Sequence, residues 1–466
     1  MKKMNDNILK ITYVFIGLFA ILAVYLVIYI LTDGREDINN PYNKRQELLE
    51  KKVLRGNIYS NDMDILAETI IDEEGNEKRN YPYDELFCHI IGNRYDTGSY
   101  GLELSYKFDL LSYNQSIVDE LLADFNEKKL QGNSIITTLD VDLQDACYEA
   151  LGKYEGAVVI MDAVTGDILS MVSKPDYNPN NISGIWDDIK NDKKGVLLNR
   201  ATQGLYTPGS IFKLFVLGEY IRSYNETYDE YLYTCKGKIN YSDFSLKCSN
   251  GKAHGKLDLS EAFAKSCNCS FADIGLKTDT DSLKAYCNNK LFNSNLPLEI
   301  PYSKSSYVLN VYDSEFMKIQ TYIGQGETLV TPIHMCMVMS SIVNDGILMK
   351  PRIVSKIIDK KGNTIENTDI SQYGSLYTKN EADLLKKYLG EVVNSGTATK
   401  LKNDKADVYG KTGTAQIDSN GLANSWFVGG IETQDKKLAI SVVIEKVDDN
   451  TSPAVSVTKD IIKTLD

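Results

Sequence analysis

"GAVVIMDAVTGDILSMVSKP", residues 156–175, reads as two runs of β-branched and apolar residues joined at Thr165-Gly166, a β-hairpin pattern. The same character returns near the other end of the chain. In "SWFVGGIETQDKKLAISVVIE", residues 425–445, two apolar runs flank a polar turn, and a short helical pattern, "SVTKDIIKTL", follows. Between these ends lie helical patterns, including "SIFKLFVLGEYIRSY" at 210–224 and "LSEAFAKSCNCSFADIGL" at 259–276. "NSIITTLDVDLQDACYEALGKY", residues 133–154, gives a strand, an Asp/Asn-type cap and a helix at the start of this region. Strands at both ends of a domain that enclose helices predict an α+β fold with an antiparallel sheet flanked by helices.

Upstream the character changes. Residues 11–32, "ITYVFIGLFAILAVYLVIYILT", are uncharged and apolar, and at about 1.5 Å per residue they span roughly the 30 Å of a hydrocarbon core. Lys2, Lys3 and Lys10 precede this stretch and mixed charges follow it, which places residues 1–10 in the cytoplasm and everything after residue 32 outside. A cleavable signal peptide is the competing reading, but the stretch is long and no small-x-small site follows it. Residues 33–133 are rich in charge, Tyr and Asn, with strand-like pieces such as "LRGNIYS" and a polar helical pattern near "QSIVDELLADFNEKKL"; they read as a stalk or platform. The expected division is therefore a tail at 1–10, a transmembrane anchor at 11–32, a platform at 33–133 and one large domain at 134–466. A net charge of −13, with no basic block interleaved with aromatics, argues against nucleic acid as a partner.

The chemistry centres on "YTPGSIFKLF", residues 206–215. Three residues along a helix turn about 300°, so Ser210 and Lys213 share a face, one turn apart. A serine hydroxyl becomes a nucleophile when a base takes its proton, and a buried lysine can be that base if its pKa falls. The spacing alone is cheap, since Ser456 and Lys459 repeat it, and a helix-start serine is the plainer reading. Serine enzymes with S-x-x-K also carry S-x-N and K-[ST]-G in that chain order. Here Ser266-Cys267-Asn268 and Lys411-Thr412-Gly413, followed by Thr414, supply them. S-x-N recurs at Ser112-Tyr113-Asn114 and Ser223-Tyr224-Asn225, whereas K-T-G occurs once. Its glycine would admit a close substrate backbone and its lysine would set positive charge beside a carboxylate or oxyanion. For Lys411 the alternative is a solvated lysine that blunts a strand edge.

With these three motifs the chain resembles the class B penicillin-binding proteins, membrane-anchored peptidoglycan D,D-transpeptidases. Flanking segments carry the resemblance further: "NRATQGLYTPGSIFK", "HGKLDLSEAFAKSCNCSFA", "IGQGETLVTPIHM", "NSGTATKL", "GKTGTAQ" and "SWFVGG" in the large domain, with "NNPYNKR", "LRGNIYSNDMDILAET" and "YGLELSYKFDLL" in the platform. The resemblance implies a transpeptidase domain with a five-stranded antiparallel sheet and a serine-type D-Ala-D-Ala transpeptidase activity. It implies that Ser210 attacks the penultimate D-Ala carbonyl of a stem peptide, Lys213 takes its proton and Ser266 relays a proton to the leaving D-Ala. Asn268 would hold the substrate amide and Lys411 would support the field. Thr412 and Thr414, with Gly413 between them, would bind the donor carboxylate, and the N–H groups of Ser210 and Thr414 would form an oxyanion hole. β-Lactams would acylate Ser210. The platform is too short for an additional glycosyltransferase domain, and the resemblance implies a polytopic membrane glycosyltransferase as partner. Arg55 and Glu103 match platform positions and read as a structural ion pair, Pro332 as a helix N1 proline and His334 as a packed residue. With only His89, His254 and His334 available, a Ser-His-Asp triad has little to draw on.

Cys235, Cys248, His254, Cys267 and Cys269 crowd around the second motif. Four of these five could close a structural zinc site that pins the Ser266 loop, while the chemistry itself needs no cofactor. A Cys235–Cys248 disulfide and free buried thiols are the alternatives; Cys88, Cys147, Cys287 and Cys336 read as core. Other functions would use the chain differently. A D,D-carboxypeptidase or β-lactamase would use water as acceptor, a β-lactam sensor would need a cytoplasmic output domain, and a scaffold would not need the three motifs.

Overall fold

The computed structural model describes residues 2–32, 49–95, 98–114, 125–126, 128–417 and 421–465. Helix α1, Lys2–Thr32, contains a segment, Leu9–Ile28, long and apolar enough to cross a membrane, and the side chains of that segment are exposed. The helical pattern expected near residues 115–130 lies mostly outside the described residues.

Along the chain the principal elements are β1 (Ile58–Tyr59), β2 (Ile65–Ile71), β3 (Glu77–Asn80), β4 (Ser134–Thr137), α2 (Val141–Leu151), β5 (Gly156–Asp162), β6 (Ile168–Lys174), α3 (Lys213–Ser223), α4 (Leu259–Ala264), α5 (Asn268–Lys277), α6 (Glu315–Tyr322), α7 (Pro332–Val343), β7 (Val354–Ile358), β8 (Thr364–Asn367), α8 (Lys379–Asn394), β9 (Asp407–Gln416), β10 (Leu422–Glu432), β11 (Lys437–Asp448) and α9 (Pro453–Ile462). The hairpin expected at Thr165-Gly166 is β5–β6, paired antiparallel. The pattern at 425–445 forms β10 and β11.

These strands assemble into one five-stranded antiparallel sheet in the order β6-β5-β11-β10-β9. Its central strands are buried along most of their length because helices cover both faces: α7 and α8 pack together on one, α2 and α9 on the other. Helix α7 is buried at every position, which explains why "PIHMCMVMSSIV" lacks a polar stripe. Thr331 caps it by accepting from the His334 N–H, and Pro332 takes the first helical position, where a missing N–H costs nothing. Strand β9 stands at the free edge of the sheet.

A second, six-stranded sheet runs β8-β7-β4-β1-β2-β3. Residues 134–137 and 354–367, from beyond the boundary expected at residue 134, complete the sheet begun by β1–β3, with β4 parallel to β1 and antiparallel to β7. The Arg55–Glu103 pair is present and buried, Nε to Oε2 at 2.6 Å, and Arg79 joins it at 2.7 Å. Sequence reading missed Arg79, which lies in a charged strand with no apolar period to mark it as internal.

Candidate active site

Gly209, with φ +56°, bends the chain into one 3-10 turn, Gly209–Phe212, that continues into α3. Glycine adopts this left-handed backbone readily, and a Cβ there would lie 2.7 Å from Thr414 O. Ser210 stands on this turn, partly exposed, while Lys213 at the start of α3 is fully buried.

The hydrogen bonds of Lys213 go chiefly to the second motif. Its Nζ donates to Asn268 Oδ1 at 2.7 Å and to Ser266 O at 2.8 Å, and it lies 3.3 Å from Ser266 Oγ. The two short bonds end on carbonyl oxygens, which only accept, so each consumes an N–H. A neutral amine keeps two such donors and has one lone pair left to accept a proton from a hydroxyl. Burial pushes the Lys213 pKa down to about 8, against a smaller opposing pull from Cys267 and its neighbouring thiols.

Lys411, expected on β9 and weighed there as a solvated edge residue, has no exposed surface. Its Nζ donates to Ser266 Oγ at 2.9 Å and to Thr412 O at 3.0 Å. Burial, and then the charge of Lys213, hold its pKa well below the ordinary lysine value. Ser266 therefore offers one hydroxyl to two lysines. It reaches that position at the break between α4 and α5 by taking φ +53°, which costs a non-glycine residue about 1 kcal/mol. Asn268, expected to hold a substrate amide, spends one lone pair on Lys213 and one N–H on Lys247 O at 3.0 Å, leaving the other of each free.

On β9, Thr412, Gly413 and Thr414 stand opposite Phe427, Trp426 and Ser425. A Cβ on Gly413 would come within 3.0 Å of Ile211 Cγ2, Pro208 O and Trp426 Cβ. Two of these three contacts belong to the turn that bears Ser210, so a close approach of the protein's own chain also requires glycine at this position. Thr412 Oγ1 lies 2.5 Å from Thr397 Oγ1, and Gln325 Nε2 donates to Thr414 O at 3.1 Å. Sequence reasoning gives Thr397 and Gln325 no role, although both lie in quoted flanks, because a lone hydroxyl or amide has no pattern of its own.

Cys235 Sγ, Cys248 Sγ, Cys267 Sγ and one ligand nitrogen of His254 lie within 4.8 Å of one another. The Cys235–Cys248 and Cys248–Cys267 sulfur pairs are each 3.7 Å apart, and His254 Nδ1 is 3.5 Å from Cys235 Sγ. All eight cysteines are free and buried, so the Cys235–Cys248 disulfide is not formed. Cys269 Sγ lies 3.5 Å from Cys248 Sγ but stands outside the four-atom group. The cluster abuts the second motif: Cys267 lies between Ser266 and Asn268, and its sulfur accepts from Ser270 N at 3.5 Å at the start of α5. His89 and His334 bond to the backbone carbonyls of Pro175 and Lys290, and burial lowers both pKa values to about 4. Ser456 and Lys459, which repeat the S-x-x-K spacing, are exposed on α9.

A family model described as the penicillin binding protein transpeptidase domain matches residues 156–463. The peptidoglycan D,D-transpeptidase PbpA of Mycolicibacterium smegmatis is 28% identical over 440 residues, covering 89% of this chain and 88% of that protein. The crystal structure of the D,D-transpeptidase domain of a peptidoglycan glycosyltransferase from Eggerthella lenta superposes with a TM-score of 0.80 at 26% identity, over 89% of this chain and 98% of that one. Penicillin-binding protein A of M. tuberculosis, solved as its imipenem acyl-enzyme, shares the fold at a TM-score of 0.80 and 23% identity, over 90% of this chain and 99% of that one.

Proposed function

The chain belongs to the penicillin-binding protein transpeptidase family, and from that premise we propose that it cross-links peptidoglycan stem peptides through an acyl-enzyme on Ser210. The observation that carries this reading is the Ser266 hydroxyl set between two buried lysines, one of which, Lys213, lies a helical turn from the partly exposed Ser210. Neutral Lys213 takes the Ser210 proton as Oγ bonds to the penultimate D-Ala carbonyl carbon. The N–H groups of Ser210 and Thr414 receive the charge on the carbonyl oxygen. The proton passes from Lys213 through Ser266 Oγ to the leaving amine, the C–N bond breaks, and D-Ala departs. An amine from a second stem then attacks the ester. Its proton returns by the same route, an amide forms and Ser210 is freed. A β-lactam opens by the same first step, but its leaving amine stays tethered and the ester persists. Thr412 and Thr414 hold the donor's terminal carboxylate, Asn268 its amide, and Gly413 lets the strand meet the nucleophile turn. The test is an exchange assay with a D-Ala-D-Ala pentapeptide and labelled D-amino acid: release of D-Ala matched by label incorporation supports the reading. Release with water as the only acceptor would favour a carboxypeptidase.

The cysteine cluster suits zinc, although the chemistry does not call for a metal. Thiolates bound at about 2.3 Å to a tetrahedral ion stand about 3.8 Å apart, close to the 3.7 Å separation of both sulfur pairs. Cys235, Cys248, Cys267 and His254 would hold the ion, and its chemistry would be structural: a cross-link that fixes the loop carrying Ser266 and Asn268. One zinc per chain by elemental analysis, lost in Cys248→Ser along with penicillin labelling, is the expected result; a metal-free, fully active protein would refute it. The remaining parts follow the family reading. The tail is cytoplasmic, the anchor crosses the membrane once and the platform and transpeptidase domain lie outside it. A polytopic glycosyltransferase supplies the glycan strands.

A further inference from the structure

Gln325 sits where three backbone segments of the site meet. It follows α6, and its own N–H is tied to Gln320 O at 2.8 Å. The preceding Gly324, at φ +80°, accepts from the Gly209 N–H at 2.8 Å, and a Cβ on it would lie 1.8 Å from Gly209 O. Gly209 in turn packs against Thr414 O, and Gln325 Nε2 donates to that same oxygen at 3.1 Å. Strand β9 has no sheet neighbour on this side. In an antiparallel strand the N–H and C=O of one residue point the same way, so a donor that fixes Thr414 C=O also fixes the direction of the Thr414 N–H. The carbonyl of Thr412, two residues back, is held in the same manner by Lys411. A carbonyl oxygen has two lone pairs, so Gln325 leaves one for a substrate amide.

We propose that Gln325 is a positioning residue for the oxyanion hole: its side-chain amide locks the end of β9 so that the Thr414 N–H faces the reacting carbonyl. This rests on the assignment of the Ser210 and Thr414 N–H groups given above. The loss of one hole donor in a serine hydrolase lowers the rate about 10²–10³-fold, and loss of the group that aims a donor costs less, about tenfold to hundredfold.

The test measures penicillin acylation by stopped flow, separating the acylation rate constant from the dissociation constant of the preceding complex, for the parent, Gln325→Ala and Gln325→Glu. The expected result is a tenfold to hundredfold slower acylation step with less than threefold change in the dissociation constant. Gln325→Glu is slower still at pH 8, where its carboxylate cannot donate, and its rate relative to the parent recovers toward pH 5 as the carboxyl gains a proton. A Gln325→Glu ratio that is flat with pH, or variants that melt earlier yet acylate normally while folded, would reduce Gln325 to a brace and overturn the proposal. Should Gln325→Ala fail to fold, the near-isosteric Glu variant decides alone. If the parent itself is not acylated at Ser210, the functional assignment fails first and the inference falls with it.

Discussion

Full burial at Lys213 favours its neutral amine, the form that can act as a base. With the proton leaving near pH 8, acylation of Ser210 should rise about tenfold per pH unit below that value and level off above it, measured as the second-order rate with a penicillin between pH 5.5 and 9.5. A profile flat across that range would remove Lys213 from the role of base. The same shift bears on stability. The folded chain releases this proton near pH 8 and the unfolded chain near 10.5, so the stability owed to Lys213 grows from pH 8 to 10.5 and falls as pH drops through that window, by about 3 kcal/mol in all. Ser266 separates stability from chemistry in another way. Ser266→Gly relaxes the left-handed backbone, so thermal unfolding should show an unchanged or slightly higher midpoint, while acylation drops at least a hundredfold because the shared hydroxyl is gone. Equal losses in both measurements would mean that Ser266 is structural.

Between elements, the site depends on close backbone approaches that side chains would block. Gly324→Ala would drive a methyl into Gly209 O, so the variant should lose several kcal/mol of stability in urea unfolding and, where still folded, acylate poorly. A fully active, stable variant would contradict the packing. The elements themselves were largely readable from sequence. Apolar runs around Thr165-Gly166 and at 425–445 form sheet strands because β-branched stretches fit a buried sheet, and the S-x-x-K spacing marks a helix start, with Ser210 on the 3-10 turn and Lys213 opening α3. What could not be read was which segments close on one another. The stretch 259–276 looks continuously helical, yet it breaks at Ser266, because the strain there is offset by contacts from α3 and β9, far away in sequence. Likewise nothing local shows that Gly413 faces the turn bearing Ser210.

At the scale of the molecule, the covered five-stranded sheet fixes β9 at its edge, and α3 and the α4–α5 break bring their motifs to that edge. Segment order along the chain predicted this sheet; it could not predict that β4, β7 and β8 complete the sheet of β1–β3, because partners as distant in sequence as Ile58 and Ile135, or Ile357 and Ile135, leave no local mark. Beside that sheet, the Glu103 carboxylate bridges two buried guanidiniums, those of Arg55 and Arg79. Glu103→Gln should therefore cost about 3–5 kcal/mol in urea unfolding, with Ser210 still acylated wherever the chain remains folded; a cost under 1 kcal/mol would show that the charges are hydrated. The chemistry of the whole molecule turns on one residue, Ser210, being the acylated nucleophile. Mass spectrometry of the chain after exposure to penicillin G tests it most directly. The prediction is one adduct per chain, mapped to the peptide containing Ser210 and missing from a folded Ser210→Ala variant. An adduct on another residue, or none on the folded parent chain, would contradict it.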